Sequence, residues 1–258
     1  MKVILPSKGI LGTKYVELRQ PTFSDLRAVH NMESDESLLK INFVKILLGE
    51  CDLNKITKYD MDYLYLIAVC AMNYNEVSYS LTCDCGEKIK FKFNLATKDV
   101  EELKKIKQPY LKKISGLEFK YHILSAQNEV DARLYALSSD NYDDAYQDAV
   151  VALTLGYSLD DIESKVHKLP VQIYISTFLF QKVVFHGIPM VEIIKCPSCS
   201  ESIKVNLSIG TDLIKVDLHN LMNNYVNLHS ILDFDAYMSL TVPEFNTLSK
   251  TYLQMLER

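Results

Sequence analysis

The sequence predicts an α+β, predominantly helical fold: two pseudo-repeated units of helices plus a cysteine-tipped β-hairpin, then a C-terminal helical region. Three observations predict it. Gly and Pro are scarce, 8 and 7 in 258 residues, where average usage would give about 18 Gly, so long regular elements are favoured. Two short cysteine clusters lie in matching surroundings. Each cluster follows a strongly apolar stretch of helical length. Apolar residues make up 48% of the chain and the net charge is −5. That balance excludes a dominantly disordered chain and leaves material for a real core. It also argues against a dedicated nucleic-acid binder, which normally carries a basic surplus.

An N-terminal β-segment opens the first unit, 1–96. Helical patterns follow over 22–32, 36–48 and 60–73, the last carrying Tyr63, Leu66, Ile67 and Cys70. Hydroxyl caps with a carboxylate three residues on, Thr22 with Asp25 and Thr57 with Asp60, support these starts, and Ser158 with Asp161 repeats the signal later. The hydroxyl accepts an orphan N–H and the carboxylate favours the positive helix end. Two β-like runs then flank Cys83 and Cys85, a hairpin with thiols at its tip.

The segment 97–116 reads as a basic linker. Lys98, Lys104, Lys105, Lys107, Lys112 and Lys113 are mixed with Glu101 and Glu102, and Tyr110 is its one aromatic residue. Such a mixture suits a solvated amphipathic connector better than a phosphate-binding surface, which interleaves aromatics.

The second unit, 117–210, repeats the order: helical patterns over 126–137, 143–155 and 170–186, then β-like runs around Cys196 and Cys199. Pro170 suits the first turn of the last helix, and Gly187 and Pro189 stop it. Superposing Cys85 on Cys199 brings Glu87 onto Glu201, Ile89 onto Ile203, Lys90 onto Lys204 and Phe91 onto Val205. This register makes duplication the better explanation, with repeats over 22–95 and 125–207. The C-terminal region, 211–258, reads as helices over 212–228 and 230–240. A last helix follows, opened by a Thr241–Glu244 capping box with Pro243 inside its first turn. Phe245, Leu248, Tyr252 and Met255 form one apolar face of that helix. The face either docks on the chain's own core or is the candidate partner-binding surface.

The chemistry-bearing constellation is Cys83, Cys85, Cys196 and Cys199. Zinc takes four soft ligands in a tetrahedron, and two hairpin knuckles supply two thiolates each. Cys196-Pro197-Ser198-Cys199 is a fairly specific knuckle, whereas Cys83-x-Cys85 is one residue short. The 110 residues between Cys85 and Cys196 are too many for a small zinc ribbon, so a shared structural Zn2+ requires the two halves to meet. Unliganded thiols, thiol redox chemistry and an iron–sulfur cluster are the other readings. Cys51 and Cys70 sit in helical apolar patterns, where core packing explains them. No His-Glu-x-x-His pair, phosphate loop or nucleophile elbow occurs. The carboxylates of 140–144 belong at a helix start. No apolar run approaches the roughly 20 residues of a membrane span, and Pro6 and Lys8 break the N-terminal apolar stretch, so no signal peptide is expected.

The opening Leu5-Pro6-Ser7-Lys8-Gly9, then the run from Tyr15 to Arg19, then Pro21-Thr22-Phe23-Ser24-Asp25 resemble the start of a family of tail proteins. These are the baseplate hub subunits and hub assembly proteins of T-even-like contractile-tailed bacteriophages. Paired cysteines between β-runs and the stretch from Tyr237 to Tyr252 are similar to the same family. Cys83-x-Cys85 and Ser200 depart from its Cys-x-x-Cys-Gly pattern, which bears on the metal site more than on the family. The resemblance implies a non-enzymatic role in the host cytoplasm or the virion tail baseplate, as an assembly chaperone or hub subunit. Other tail and baseplate hub proteins would be its partners. The 16 Tyr suit interfaces. The alternative is a zinc-knuckle nucleic-acid-binding protein with Lys88, Lys90, Lys92 and the 98–113 lysines as its footprint. A thiol enzyme working through Cys196 and Cys199 is a third reading.

Overall fold

The computed structural model describes residues 1–32, 35–72, 76–114, 116–211, 214, 218–228 and 232–256, except for the side chains of 96, 218–221, 227 and 252–256. The first unit is a small hairpin, β1 (Lys2–Ile4) and β2 (Tyr15–Glu17), then α1 (Phe23–His30), α2 (Glu36–Leu48) and α3 (Lys58–Ala71). The cysteine hairpin β3 (Glu76–Thr82) and β4 (Lys88–Asn94) closes it. The second unit has the same order: β5 (Tyr110–Ile114), β6 (Leu117–Tyr121), α4 (Ala126–Leu137), α5 (Tyr142–Thr154), α6 (Val171–Val183), β7 (Val191–Lys195) and β8 (Ser202–Asn206). The C-terminal helices are α7 (Leu218–Leu228), α8 (Phe234–Ser239) and α9 (Val242–Leu256). All four sheets among the described residues are two-stranded and antiparallel.

Local chemistry accounts for the helix starts. Thr22, Thr57 and Ser125 each head a reciprocal capping box, with Asp25, Asp60 and Asn128 as the returning side chains. Asp25 also receives Arg19 at 2.5 Å, joining the strand end to α1. Burial works against the Asp25 carboxylate, but its hydrogen bonds to Arg19 and Thr22 outweigh that and lower its pKa. Ser158 and Asp161 do form a capping box, yet it opens a short 3-10 turn and a π-helical turn, Ile162–Val166, rather than a long helix.

The segment 97–116 is a connector only in part. Tyr110–Ile114 pairs with Leu117–Tyr121 as a hairpin, turning at Gly116 with φ +83°. Lysines on β5 disguise its alternation, since Lys112 is half-buried and donates to Ser176 at 2.6 Å. This hairpin holds in the second unit the place of β1–β2 in the first, so the duplication begins a hairpin earlier than the helices suggest. Upstream, Lys98 is paired with Glu192.

Two apolar cores result. One gathers Leu18, Val44, Leu64 and Val69 of the first unit with Ile209, Ile214, Leu228, Tyr237 and Met238 from the chain's end. The other gathers Tyr121, Leu124, Val151, Ile162, Phe180 and Val184. The C-terminal region is thus built onto the first unit. Phe245 lies among Phe23 (5.2 Å) and Tyr237 (6.0 Å), and Leu248 packs on the same core. These two members of the candidate partner-binding face are half-buried against the chain itself, because α9 lies against α1 and α8. The side chains of Tyr252 and Met255 lie outside the described residues. Cys51 and Cys70 pack against the first core, as expected.

Candidate metal centre

The two cysteine hairpins obey the register read from the sequence. Leu81 pairs with Ile89 and Ile194 with Ile203. The Cys83 N–H donates to the Glu87 carbonyl and the Cys196 N–H to the Glu201 carbonyl, both at 2.8 Å. Gly86 and Ser200 fall at the same point, with φ +90° and +63°. The tips differ by one residue: Gly86 N–H returns to the Cys83 carbonyl and Ser200 N–H to the Cys196 carbonyl, a four-residue turn against a five-residue one. Ser200 holds a left-handed conformation that costs a residue with a Cβ about 1–2 kcal/mol.

The apolar faces of the hairpins meet through Leu81, Ile89, Ile194 and Ile203, beneath Cys83 and Cys196. Ser198 bonds Glu87 across the tips at 2.7 Å. Tyr79 donates to the Ser208 carbonyl at 2.9 Å nearer the base. These contacts bring four sulfurs together. Cys83 Sγ lies 3.6 Å from Cys199 Sγ, and Cys85 Sγ lies 3.7 Å from Cys196 Sγ. All four fall within 4.8 Å of one another. A tetrahedron with zinc–sulfur bonds of about 2.3 Å has edges of about 3.8 Å, close to the 3.6 and 3.7 Å separations. A disulfide needs sulfurs about 2.05 Å apart, and all four thiols are free. Cys83 and Cys196 are buried, while Cys85 and Cys199 lie outermost.

The knuckle backbone favours negative sulfur. The N–H groups of Cys199 and Ser198 draw the Cys196 thiol down to about 7. The Cys85 N–H acts on Cys83 in the same sense, but burial and the three neighbouring thiols outweigh it and push Cys83 up to about 12. Four thiols this close cannot all ionise without a cation among them. The donor set is all sulfur, the preference of zinc or an iron–sulfur cluster rather than of magnesium or calcium.

Two buried polar networks were not legible beforehand. His186, fully buried after α6, places Nε2 2.6 Å from Thr57 Oγ1 and 3.6 Å from Asp60 Oδ1, with Nδ1 2.9 Å from the Val184 carbonyl. Asp60 also accepts the Ser7 N–H at 3.1 Å. Burial raises the Asp60 pKa, but the bonds from His186 and Ser7 outweigh it and leave it below the ordinary range. The Thr57–Asp60 box was visible in sequence; the histidine 129 residues away was not. In the second network, Glu129 meets Arg133 at 2.7 Å, Lys58 at 3.7 Å and the Tyr146 hydroxyl at 2.8 Å. Arg133 reaches on to Asp35 and Tyr142. Beside it, Asp62 lines a cleft of about 250 Å³ with Lys40, Tyr63 and His186. Desolvation in the cleft and the Glu129 charge raise Asp62 to about 6.

Repeated helices held by caps and ion pairs, with two hairpins converging on four thiols, define a duplicated helical protein with a four-cysteine cluster between its hairpins. The chain belongs to the T4 bacteriophage base plate protein family, whose model matches residues 2–168. The match takes in the first unit and the second as far as the turn before α6, and so includes Cys83 and Cys85 but not Cys196 and Cys199. No curated protein and no solved structure matches the chain. It is a structural protein of a T4-like phage baseplate, with other baseplate proteins as its partners. Membership of such a family suggests a non-enzymatic role. Among the described residues no helix is long and apolar enough to cross a membrane.

Proposed function

We propose that the protein acts at the hub of the baseplate, as an assembly chaperone or hub subunit, purely through protein–protein contacts. In this reading Cys83, Cys85, Cys196 and Cys199 hold one structural Zn2+ that clamps the two units and keeps their outer surfaces in a fixed relation. The observation that carries it is the convergence of four sulfurs within 4.8 Å of one another from hairpins 111–116 residues apart in the chain. A closed four-thiolate site leaves no open position for substrate, so the metal's contribution would be rigidity. The protein would meet its partners in the host cytoplasm during assembly.

Elemental analysis of the purified protein tests the metal half: about one zinc per chain is expected, and a metal-free protein with four freely reacting thiols overturns it. Mass spectrometry of purified virions, with co-purification from infected cells, tests the hub half. Recovery with hub proteins supports it, and recovery only with peripheral baseplate proteins overturns it. Presence in the particle marks a subunit, and absence with co-purification marks a chaperone.

One observation favours nucleic-acid binding as a second reading. Lys88, Lys90 and Lys92 stand exposed on one face of β4, opposite Thr82, Ser80 and Ser78. Binding of DNA or RNA that falls steeply with salt would support it; no binding at low salt would remove it.

A further inference from the structure

The way the helices are seated on one another points to an open docking face on α6. Helices come in three triplets, α1–α3, α4–α6 and α7–α9. The second member of each starts at an Asp or Asn cap: Asp35, Asn141 and Asp233. The third member starts at Thr57 in the first triplet, and at Thr241 in the last, with Glu244 completing that capping box. Counting back equally from Cys83 and Cys196 matches Thr57 with Pro170, the cap of α6.

The first helix of one triplet rests on the second and third helices of another. Helix α4 lies on α2 and α3. Thr57 and Ser125 form a β-bridge: Lys58 N–H donates to the Leu124 carbonyl at 3.1 Å and Ala126 N–H to the Ile56 carbonyl at 2.8 Å. Helix α1 lies on α8 and α9 in the same manner. Thr22 and Thr241 form a bridge, and Phe23 stacks on Tyr237 at 5.3 Å and meets Phe245 edge-on. In space the triplets therefore run α7–α9, α1–α3, α4–α6. Two third helices, α9 and α3, carry a first helix. Among the described residues α6 carries none.

The face of α6 in question is apolar. Lys58 and Asp62, which meet the Glu129 network from α3, correspond to Val171 and Ile175. With Leu179 and Val183 these make a stripe at every fourth residue, 71%, 51%, 44% and 73% exposed in chain order. A continuous apolar stripe on a surface helix marks an interaction site. The backbone is open as well: the Val171 N–H and Leu169 carbonyl, counterparts of the Lys58 N–H and Ile56 carbonyl, take no partner among the described residues.

We propose that this face binds a second copy of the chain, which presents its α7 there as α4 is presented on α3. Helix α7 is the first helix at the other end of the series; Tyr225 and Leu228 turn inward to the first core, and among the described residues it forms no bridge or ring contact with the third helix of another triplet. It shows Met222 and Val226 to solvent, four residues apart, a spacing that matches two rungs of the stripe. Ridges spaced by four on both helices pack at a crossing angle of about −50°. A contact between two different surfaces of the same chain is heterologous, so copies add head to tail into a ring or an open series. This goes beyond a role in the baseplate and depends on neither the zinc nor the hub reading.

The test is the mass of the full-length protein by sedimentation across a concentration series, with Ile175→Asp on one surface and Met222→Asp on the other. The wild type should grow in mass with concentration, and each variant alone should stay monomeric. An equimolar mixture of the two, retaining one good α6 face and one good α7, should give a 1:1 dimer that grows no further. Circular dichroism and thermal midpoint check that the variants fold. If Ile175→Asp does not, Val183→Lys at the most exposed rung replaces it. A wild type that is monomeric at every concentration overturns the proposal, also if α6 then binds another baseplate protein. A Met222→Asp variant that still pairs while the α6 variant does not would reveal a symmetric α6–α6 dimer and equally overturn it.

Discussion

The two units share their element order but spend their polar residues in different places. In the first, α3 turns Lys58 and Asp62 toward α4, and Glu129 and Arg133 answer from there. In the second, the matching positions of α6 are Val171 and Ile175, facing solvent. Asp60, buried under His186, corresponds to the buried Ile173, while Leu64 corresponds to Thr177, buried and bonded to Tyr121 at 3.1 Å. A duplicated backbone thus keeps its helix packing while exchanging ionic for apolar chemistry. An inner, charged joint fixes which helix sits on α3, because a charge buried there without its partner is costly. The apolar face of α6 has no such partner among the described residues.

The largest expected effect breaks the link between the units. If the four thiols hold one metal ion as proposed, Cys196→Ser removes a buried ligand and should lower stability by at least the roughly 2–5 kcal/mol of a lost native cross-link. Thermal unfolding with and without chelator checks it. A chelator should reproduce the loss in the wild type and add nothing to the variant.

Next is the charged joint itself. Glu129→Ala leaves the half-buried Lys58 and Arg133 without their shared carboxylate, although Arg133 keeps Asp35, and should cost up to about 3 kcal/mol. The reverse exchange in the second unit, Val171→Lys, puts a charge on an exposed position and should change stability by less than about 0.5 kcal/mol. Urea unfolding of both variants measures the contrast. Similar losses would show that α6 is covered in solution.

The pH dependence sharpens the same contrast. Asp60 and Glu129 are both held below the ordinary carboxylate range. For Glu129, burial raises the pKa, but Lys58, Arg133 and Tyr146 outweigh it. A carboxyl with a lowered folded pKa binds fewer protons folded than unfolded. Its contribution is complete above the unfolded value and is lost as pH falls through the folded one. Stability should therefore fall on acidification below about pH 4, and less steeply in Glu129→Gln. Asp62 has the opposite sign. Raised to about 6, it contributes below its unfolded pKa and opposes folding as pH rises through 6. Solvent reaches its side chain and screens the effect, so Asp62→Asn should bring a small gain at pH 7 and none at pH 4. Denaturation midpoints across that range decide it.

The smallest expected effect compares the two hairpin tips. Gly86→Ala forces a Cβ into φ +90° and should cost about 1 kcal/mol, although nothing lies within 4 Å of the new atom. Ser200→Gly relieves the same conformation and should gain a few tenths of a kcal/mol, since the extra unfolded-state freedom of Gly offsets part of the relief. Equal effects of opposite sign would mean that the longer Cys196–Cys199 turn bears no strain of its own.

What was legible in the sequence was local. Helices α2 and α4 lie where their apolar periodicity put them, and Thr22, Thr57 and Thr241 cap the helices they were expected to cap. The equivalence of the cysteine hairpins followed from register alone, because a strand pair repeats every two residues and one residue of slip would reverse its faces. The β5–β6 hairpin was hidden, since its lysines mask the alternation and Lys112 donates to Ser176, on a helix 64 residues away. Tertiary structure alone decided the rest: that four thiols meet, that His186 closes the cap of α3, that Phe245 and Leu248 pack against the chain's own core, and that α6 shows an apolar face to solvent. Caps and hairpin registers are set by neighbours a few residues apart, whereas these contacts join segments whose meeting is paid for by burial of the whole core.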